Sequence, residues 1–424
     1  MNESIAAARP AARPIRIGPA RLLARRAIHR ILERLRHGRL TLKDGTDERA
    51  YGEETRDFPV SATVVVRDPA FYPAILLDGS IGAGESYMAG HWETEDLTAV
   101  IRIFVRNLEA MEAMESGAAR LTAPFHRAFH RLRRGTRRNS RSNIAAHYDL
   151  GNDFYALFLD ETMTYSAGIF EREDSTLAEA SIAKYERIAR KLALSPEDRV
   201  LEIGTGWGGF AVHAAERFGC RITTATISRE QHEYATERVR RAGLSDRVTI
   251  LLEDYRDLTG KFDKLVSIEM IEAVGHEFHG DFFRTCGARL RPRGLMALQA
   301  IVIRDDRYEQ QLRRPDFIKR HIFPGSCIPS VTALGEAAAR TSDLRLVHLE
   351  DIAPHYAKTL RIWRERFLEN RPAVRALGFS ETFVRMWEFY LSYCEGSFLE
   401  RYIGDVQAIY ARPRCRQAPI PGVP

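Results

Sequence analysis

The residue types with chemical potential in this chain gather at two places. Glu202 stands two residues before Gly204-Thr205-Gly206-Trp207-Gly208-Gly209, and a later apolar run, 262–268, ends in an acidic cluster with Glu269 and Glu272. Gly204 and Gly206 allow positive φ and let a ligand lie directly on the main chain. The turn opens into Phe210–Arg217, whose apolar residues have helical spacing, and a helix N-terminus favours an anionic group placed against it. Strand, tight turn and helix together describe a site for a nucleotide-like cofactor. A plain dinucleotide site would add an acid after the next strand, but that strand ends Thr224-Ala225-Thr226-Ile227-Ser228, with no acid for a ribose.

The elements that must position these residues alternate. Period and composition predict strands at 198–203, 220–226, 247–252, 262–268, 294–302, 344–349 and 404–411. Helices are predicted at 176–193, 207–218, 229–242, 278–290, 355–369 and 380–396. Such alternation predicts an α/β fold, a mostly parallel sheet with helices on both faces. Before it, residues 51–118 read as a small α+β domain, with a β-like run Ala62–Val66, turns at Gly82, Gly84 and Gly90, and a helix from Leu97 to Met114. Residues 1–50 form a basic leader, 119–142 a basic linker, 143–412 the α/β domain and 413–424 a loose tail.

At 424 residues the chain is long enough for two or three domains, and no apolar run is long enough to span a membrane. Five scattered cysteines without a CxxC pair argue for a reduced compartment and against disulfides or a zinc site. His276 and His279 beside Glu277 have no convincing ligand spacing, so no metal is expected. The net charge of +6 is uneven: residues 1–40 hold ten arginines and 120–141 hold eight. In 19–39, Leu22, Leu23, Ile28, Ile31, Leu32 and Leu35 fall near one helical face among arginines, the pattern of a helix lying on an anionic membrane surface. A solvated linker and a disordered leader are the plainer alternatives. Nucleic acid is not an expected partner, because no Asn/Asp-Pro-Pro-aromatic motif accompanies the basic segments.

The acid before the glycine turn, the acidic cluster after strand four and Glu253-Asp254-Tyr255 after strand three resemble a class I S-adenosylmethionine methyltransferase. Further blocks narrow this: His147–Tyr155, Met163-Thr164-Tyr165-Ser166, Thr226–Gln231, Glu269–Gly275, Ile322-Phe323-Pro324-Gly325 and Gly79–Trp92. Over roughly residues 60–412 the chain resembles cyclopropane-fatty-acyl-phospholipid synthases and the mycolic acid cyclopropane synthases. The resemblance implies attack of a cis double bond in a membrane phospholipid on the cofactor's methyl. A carbocation follows, and a bound bicarbonate removes a proton so that a cyclopropane closes. Glu272 would then orient the bicarbonate, Tyr356 would donate a hydroxyl to it, and Ile268 and Ile301 would supply main-chain contacts. Cys394 matches a cysteine of the family, although methyl transfer to an alkene needs no thiolate. Tyr165, Ser166, Glu202, Gly204, Gly206, Thr226, Gln231, Asp254 and Tyr255 would surround S-adenosylmethionine. The ring faces of Tyr165, Trp363 and Tyr393 would stabilise a cation.

Three departures stand at the bicarbonate position: Ala167 in place of a cysteine, Gln299 in place of a histidine, and Ala273 in place of another. They leave two alternatives open: a related lipid C-methyltransferase giving a methyl- or methylene-branched chain, and a non-catalytic lipid-binding relative. The resemblance also implies a homodimer and a cytoplasmic protein held at the inner face of the membrane.

Overall fold

Leu40 and Leu42, like Ala62, Val64 and Val66, are buried at every second position, and both runs are strands. In the computed structural model, which describes residues 18–116 and 150–416, the first domain holds β1 (Arg39–Asp44), β2 (Asp47–Tyr51), β3 (Ser61–Val66) and β4 (Trp92–Glu93). Their sheet order is β2-β1-β3-β4. The start of the basic leader, the linker 119–142, the block His147-Tyr148-Asp149 and the end of the tail lie outside the described residues.

This domain begins earlier than the sequence reading placed it. The helix Pro19–Leu32 buries Ala24, Ile28 and Leu32, and Leu35 follows them into the core. Most of the stripe expected to lie on a membrane therefore faces the protein, while Leu22 and Leu23 stay exposed. Gly82 and Gly84 are not turns; they lie inside the helix Phe71–Met88, which kinks at Gly79. A Cβ on Gly84 would stand 2.3 Å from the Phe317 ring, so glycine there lets that ring pack against the helix. The expected helix from Leu97 breaks at Asn107, whose side chain accepts from the amides of Arg36 and His37 at 2.7 and 3.0 Å.

The second domain carries β5 (Arg199–Ile203), β6 (Arg221–Thr226), β7 (Val248–Leu252), β8 (Phe262–Ile268), β9 (Leu290–Ile303), β10 (Arg345–Asp351) and β11 (Ile403–Ala411). They form one sheet in the order β10-β11-β9-β8-β5-β6-β7. The strands from β9 to β7 run parallel, while β11 and β10 pair antiparallel at one edge. From β5 the chain moves outward to β6 and β7, then returns to β8 on the other side. That reversal opens a crevice at the carboxyl ends of β5 and β8, where ligands of such sheets bind. Between β9 and β10, which the sequence reading left unassigned, lie helices Asp305–Arg313 and Val331–Thr341 and a π-helical turn, Ile318–Ile322.

The two domains share one apolar core, running from Ile28, Tyr72 and Ile103 to Phe317, Trp363 and Trp387. Across it Thr98 Oγ1 donates to Glu395 Oε2 at 3.1 Å, and Arg102 Nε to Glu400 Oε1 at 2.7 Å. Among the described residues no helix is long and apolar enough to cross a membrane.

Candidate active site

At the carboxyl end of β5, Gly204 takes φ +101° and its amide donates to Ala225 O at 3.0 Å, pinning the turn to β6. A Cβ there would come within 3.2 Å of the Met270 side chain, so the turn needs glycine for conformation and for space. Glu202 is 2% exposed, and its Oε2 has no partner. Burial pushes its carboxyl up to about 8, offset in part by Thr224 and the charge of Lys184. A buried carboxyl with an unused oxygen beside a glycine turn suits the cationic methionine end of S-adenosylmethionine. Around it, Thr226 Oγ1 donates to Gln231 Oε1 at 2.8 Å, Ser228 caps the helix Arg229–Arg241, and the Tyr255 hydroxyl is buried without a partner. Asp254 is held by Arg256 Nε at 2.8 Å. One buried carboxyl oxygen and one buried hydroxyl without partners fit a cofactor such as S-adenosylmethionine at this turn.

The other cluster lies where β8 and β9 end. Glu269 directly follows Ile268, and its φ of +46° places it in the left-handed region. That conformation costs a residue with a Cβ about 1–2 kcal/mol. Its amide donates to Gln299 O at 2.8 Å. Three donors meet its carboxylate. Ala167 N and Gln299 Nε2 reach Oε1 at 2.9 and 2.7 Å, and the Tyr356 hydroxyl reaches Oε2 at 2.7 Å. Glu272 accepts from Ile301 N at 2.5 Å through Oε1, while its Oε2 has no partner. Burial, followed by the charge of Glu269, raises the Glu272 carboxyl to about 8, so at neutral pH Glu272 is mostly protonated. Burial, followed by the charge of Glu269, also holds Asp405 well above the carboxylate range.

A line of side chains fixes the Gln299 amide. Glu350 holds Lys191, whose Nζ donates to Gln407 Oε1 at 2.7 Å, and Gln407 Nε2 donates to Gln299 Oε1 at 3.0 Å. An ammonium only donates, so each amide must present its oxygen toward Lys191 and its NH2 toward Glu269.

Between the clusters, Tyr165 stacks on Trp363 with ring centres 5.1 Å apart, and its hydroxyl shares a hydrogen bond with Tyr390 at 2.8 Å. Ser166 Oγ accepts from Lys184 Nζ at 2.5 Å, and burial lowers that fully buried ammonium to about 8. Cys394 lines the same space, and burial pushes its thiol far above its ordinary value, which disfavours a thiolate. One cavity of about 370 Å³ joins all of this. It runs from the glycine turn past Ile268, Glu269 and Glu272 into an apolar section with Ile303, Ile318, Phe323 and Phe398, and touches Ser80 and Met111 of the first domain.

The residues expected around the cofactor and those expected around an oxyanion thus line one cavity, apart from Ala167 and Gln299, which reach it through Glu269. Glu269, Lys184, Lys191, Tyr390, Asp405 and Gln407 had no assigned role in the sequence reading. Lys184 and Lys191 left a signal: both fall on the apolar stripe of the helix Leu177–Leu192, where a cation needs a buried partner.

Comparison with known proteins identifies the family. The family model described as mycolic acid cyclopropane synthetase matches residues 135–408. A tuberculostearic acid methyltransferase of Mycobacterium tuberculosis is 39% identical over 91% of this chain and 89% of its own length. The cyclopropane-fatty-acyl-phospholipid synthase of Escherichia coli K12 is 36% identical over 83% of this chain and 88% of its own. The solved structure of a mycolic acid cyclopropane synthase, CmaA1, complexed with SAH and CTAB, superposes with a TM-score of 0.60 at 32% identity, over 64% of this chain and 98% of that one. With the glycine turn, the β8 carboxylates and the continuous cavity already in place, the chain belongs to the mycolic acid cyclopropane synthetase family of S-adenosylmethionine-dependent methyltransferases.

Proposed function

We propose that this enzyme methylates the cis double bond of an unsaturated acyl chain in a membrane phospholipid and closes the product to a cyclopropane. The observation that carries this reading is the continuous cavity, which leads from a cofactor turn, past carboxylates, into an apolar section reaching the first domain. Ile303, Ile318, Phe323 and Phe398 give that section an apolar wall that suits an acyl chain, beside Gln310, Gln311, Arg314 and Asp316, which line the same cavity. S-adenosylmethionine, when bound, supplies a methyl on a cationic sulfur. The protein's own part is to exclude water, to face the developing positive charge with Tyr165 and Tyr393, and to take up a proton.

Bicarbonate does not fit this site. The amide of Ala167, the Gln299 amide and the Tyr356 hydroxyl, three of its expected partners or replacements for them, already converge on the Glu269 carboxylate. No step is therefore assigned to a bound oxyanion.

For membrane contact, Leu22, Leu23 and Leu77 are 38%, 65% and 42% exposed on two touching helices, with Arg21, Arg26 and Arg30 also exposed on the first. Leucines among arginines suit an anionic lipid surface. A methylene branch is the second reading, favoured by Ala167 and Gln299 and by a 39% identical relative named for methyl transfer alone. Purified protein, cofactor and vesicles of cis-unsaturated phospholipid test both. The lipid should gain one methylene unit, and proton spectra separate ring from branch. No gain with any cis-unsaturated phospholipid would sink the proposal.

A further inference from the structure

We propose that Glu269 is the base of the reaction, a carboxylate built into the chain where the resemblance implied a bound bicarbonate. The inference rests on the alkene-methylation reading above. Its evidence is geometric. Three donors from three separate segments, the loop at Ala167, β9 at Gln299 and the helix Ala353–Glu369 at Tyr356, converge on the two oxygens of one side chain. That donor count matches an ionised carboxylate, which only accepts.

The backbone supports the same conclusion. Glu269 holds a left-handed φ that glycine would adopt without strain, and such outliers persist where surrounding structure enforces them for a purpose. Glu269 lines the cavity that joins the cofactor turn to the apolar section. Of the neighbouring acids, Glu272 has one oxygen on Ile301 N and the other without a partner, so only Glu269 has both oxygens held in place by the chain; Asp405 is completely buried, and Gln299 Nε2 donates to it at 3.2 Å.

The step balances without a co-reactant. After the double bond has formed its new carbon–carbon bond to the methyl, one neighbouring chain carbon is cationic. A methyl C–H bond breaks, its electron pair forms the second ring bond to that carbon, and the proton passes to a Glu269 oxygen. Departure of the lipid then opens the site to water, which takes the proton and restores the carboxylate.

The test uses the full-length enzyme with unsaturated phospholipid vesicles. Wild type should work at the same rate in carbon-dioxide-free buffer with or without added bicarbonate, and carbon-13 bicarbonate should show no binding by NMR. Glu269→Gln should lose at least about a hundredfold in ring formation, the scale of removing a general base, while calorimetry finds cofactor affinity within about threefold. Glu269→Gly relieves the left-handed strain and leaves room among the same donors. It should bind carbon-13 bicarbonate and regain at least about tenfold of its lost rate when bicarbonate or formate is added, a rescue that a purely structural role would not give. Bicarbonate-dependent wild-type activity, or a Glu269→Gln variant within about threefold of wild type, overturns the assignment and leaves lipid methylation intact. Wild type that never alkylates lipid overturns both readings together.

Discussion

At the glycine turn, Glu202 keeps one buried oxygen without a partner and Tyr255 keeps its hydroxyl free of one. At the end of β8, the three donors facing Glu269 are already engaged. Both ends bury a carboxyl beside a strand terminus, yet Glu202 keeps an oxygen without a partner while Glu269 has both oxygens engaged by the chain itself; next to it Glu272 Oε2 stays open. Unsatisfied buried polar groups are costly, so they persist mainly where a ligand satisfies them. A satisfied carboxylate in a strained backbone position persists where its placement matters. On the proposed function, the difference separates a binding end from a reacting end of the same cavity.

The largest break in that comparison comes from the turn. In Gly204→Val, a branched side chain must hold φ near +101° and press on Met270. Cofactor affinity should fall at least about a hundredfold, close to 2.7 kcal/mol. Circular dichroism should remain native-like, and calorimetry reads the loss. Next in size is Tyr356→Phe, which removes one of the three donors to Glu269. A hydrogen bond to a charged group contributes about 1.5–3 kcal/mol, so turnover should drop roughly 10- to 100-fold. Cofactor affinity should stay level. A fall in both quantities would mean that the two ends are not separable.

How much of this was readable beforehand depends on the range of the interaction. The glycine turn, Glu202 and Glu272 announce themselves because strand, turn and acid are neighbours in sequence. The parallel strands of the second domain followed from period and length, and β8 matches its expected limits, 262–268. The first domain's start did not. A stripe of Ile28, Leu32 and Leu35 among arginines has the same spacing whether it meets lipid or protein, and only tertiary packing decides. Glu269 was visible as part of an acidic cluster, but its donors come from residues 102, 30 and 87 positions away. Nothing local reports such a convergence.

The pH response separates the ends more gently. Glu202 in the protein without cofactor titrates near 8, with Thr224 and Lys184 facing it. Its acid form is the neutral one, so a cationic ligand is attracted only once the proton leaves. Below 8 the affinity should therefore climb with pH, by about fivefold between pH 7 and 8, and flatten above. Calorimetry at pH 7 in buffers of different ionisation enthalpy should record nearly one proton released per cofactor bound. An affinity unchanged from pH 6 to 9 would show that Glu202 does not face the cationic end.

The smallest effect probes the reacting end from its far side. Lys191 is fully buried and meets neither cofactor nor Glu269, yet it sets the direction of two amides. Lys191→Met keeps the length and packing of the side chain, and Glu350 retains Arg187 at 2.8 Å, so no buried charge is stranded. Gln407 then loses the ammonium that fixed its orientation, and Gln299 can turn its oxygen toward Glu269. Glu269 and Asp405 still favour the NH2-inward orientation, so only a minority of molecules present the wrong atom, and turnover should fall by at most about twofold with the lipid KM unchanged. The decisive control is Gln299→Leu, which deletes the amide that Lys191 acts upon. If the ammonium works only through that amide, adding Lys191→Met to Gln299→Leu costs no further rate. Additive losses would instead assign Lys191 a separate packing role and leave the polarity of the Gln299 amide set by Asp405 and Glu269 alone.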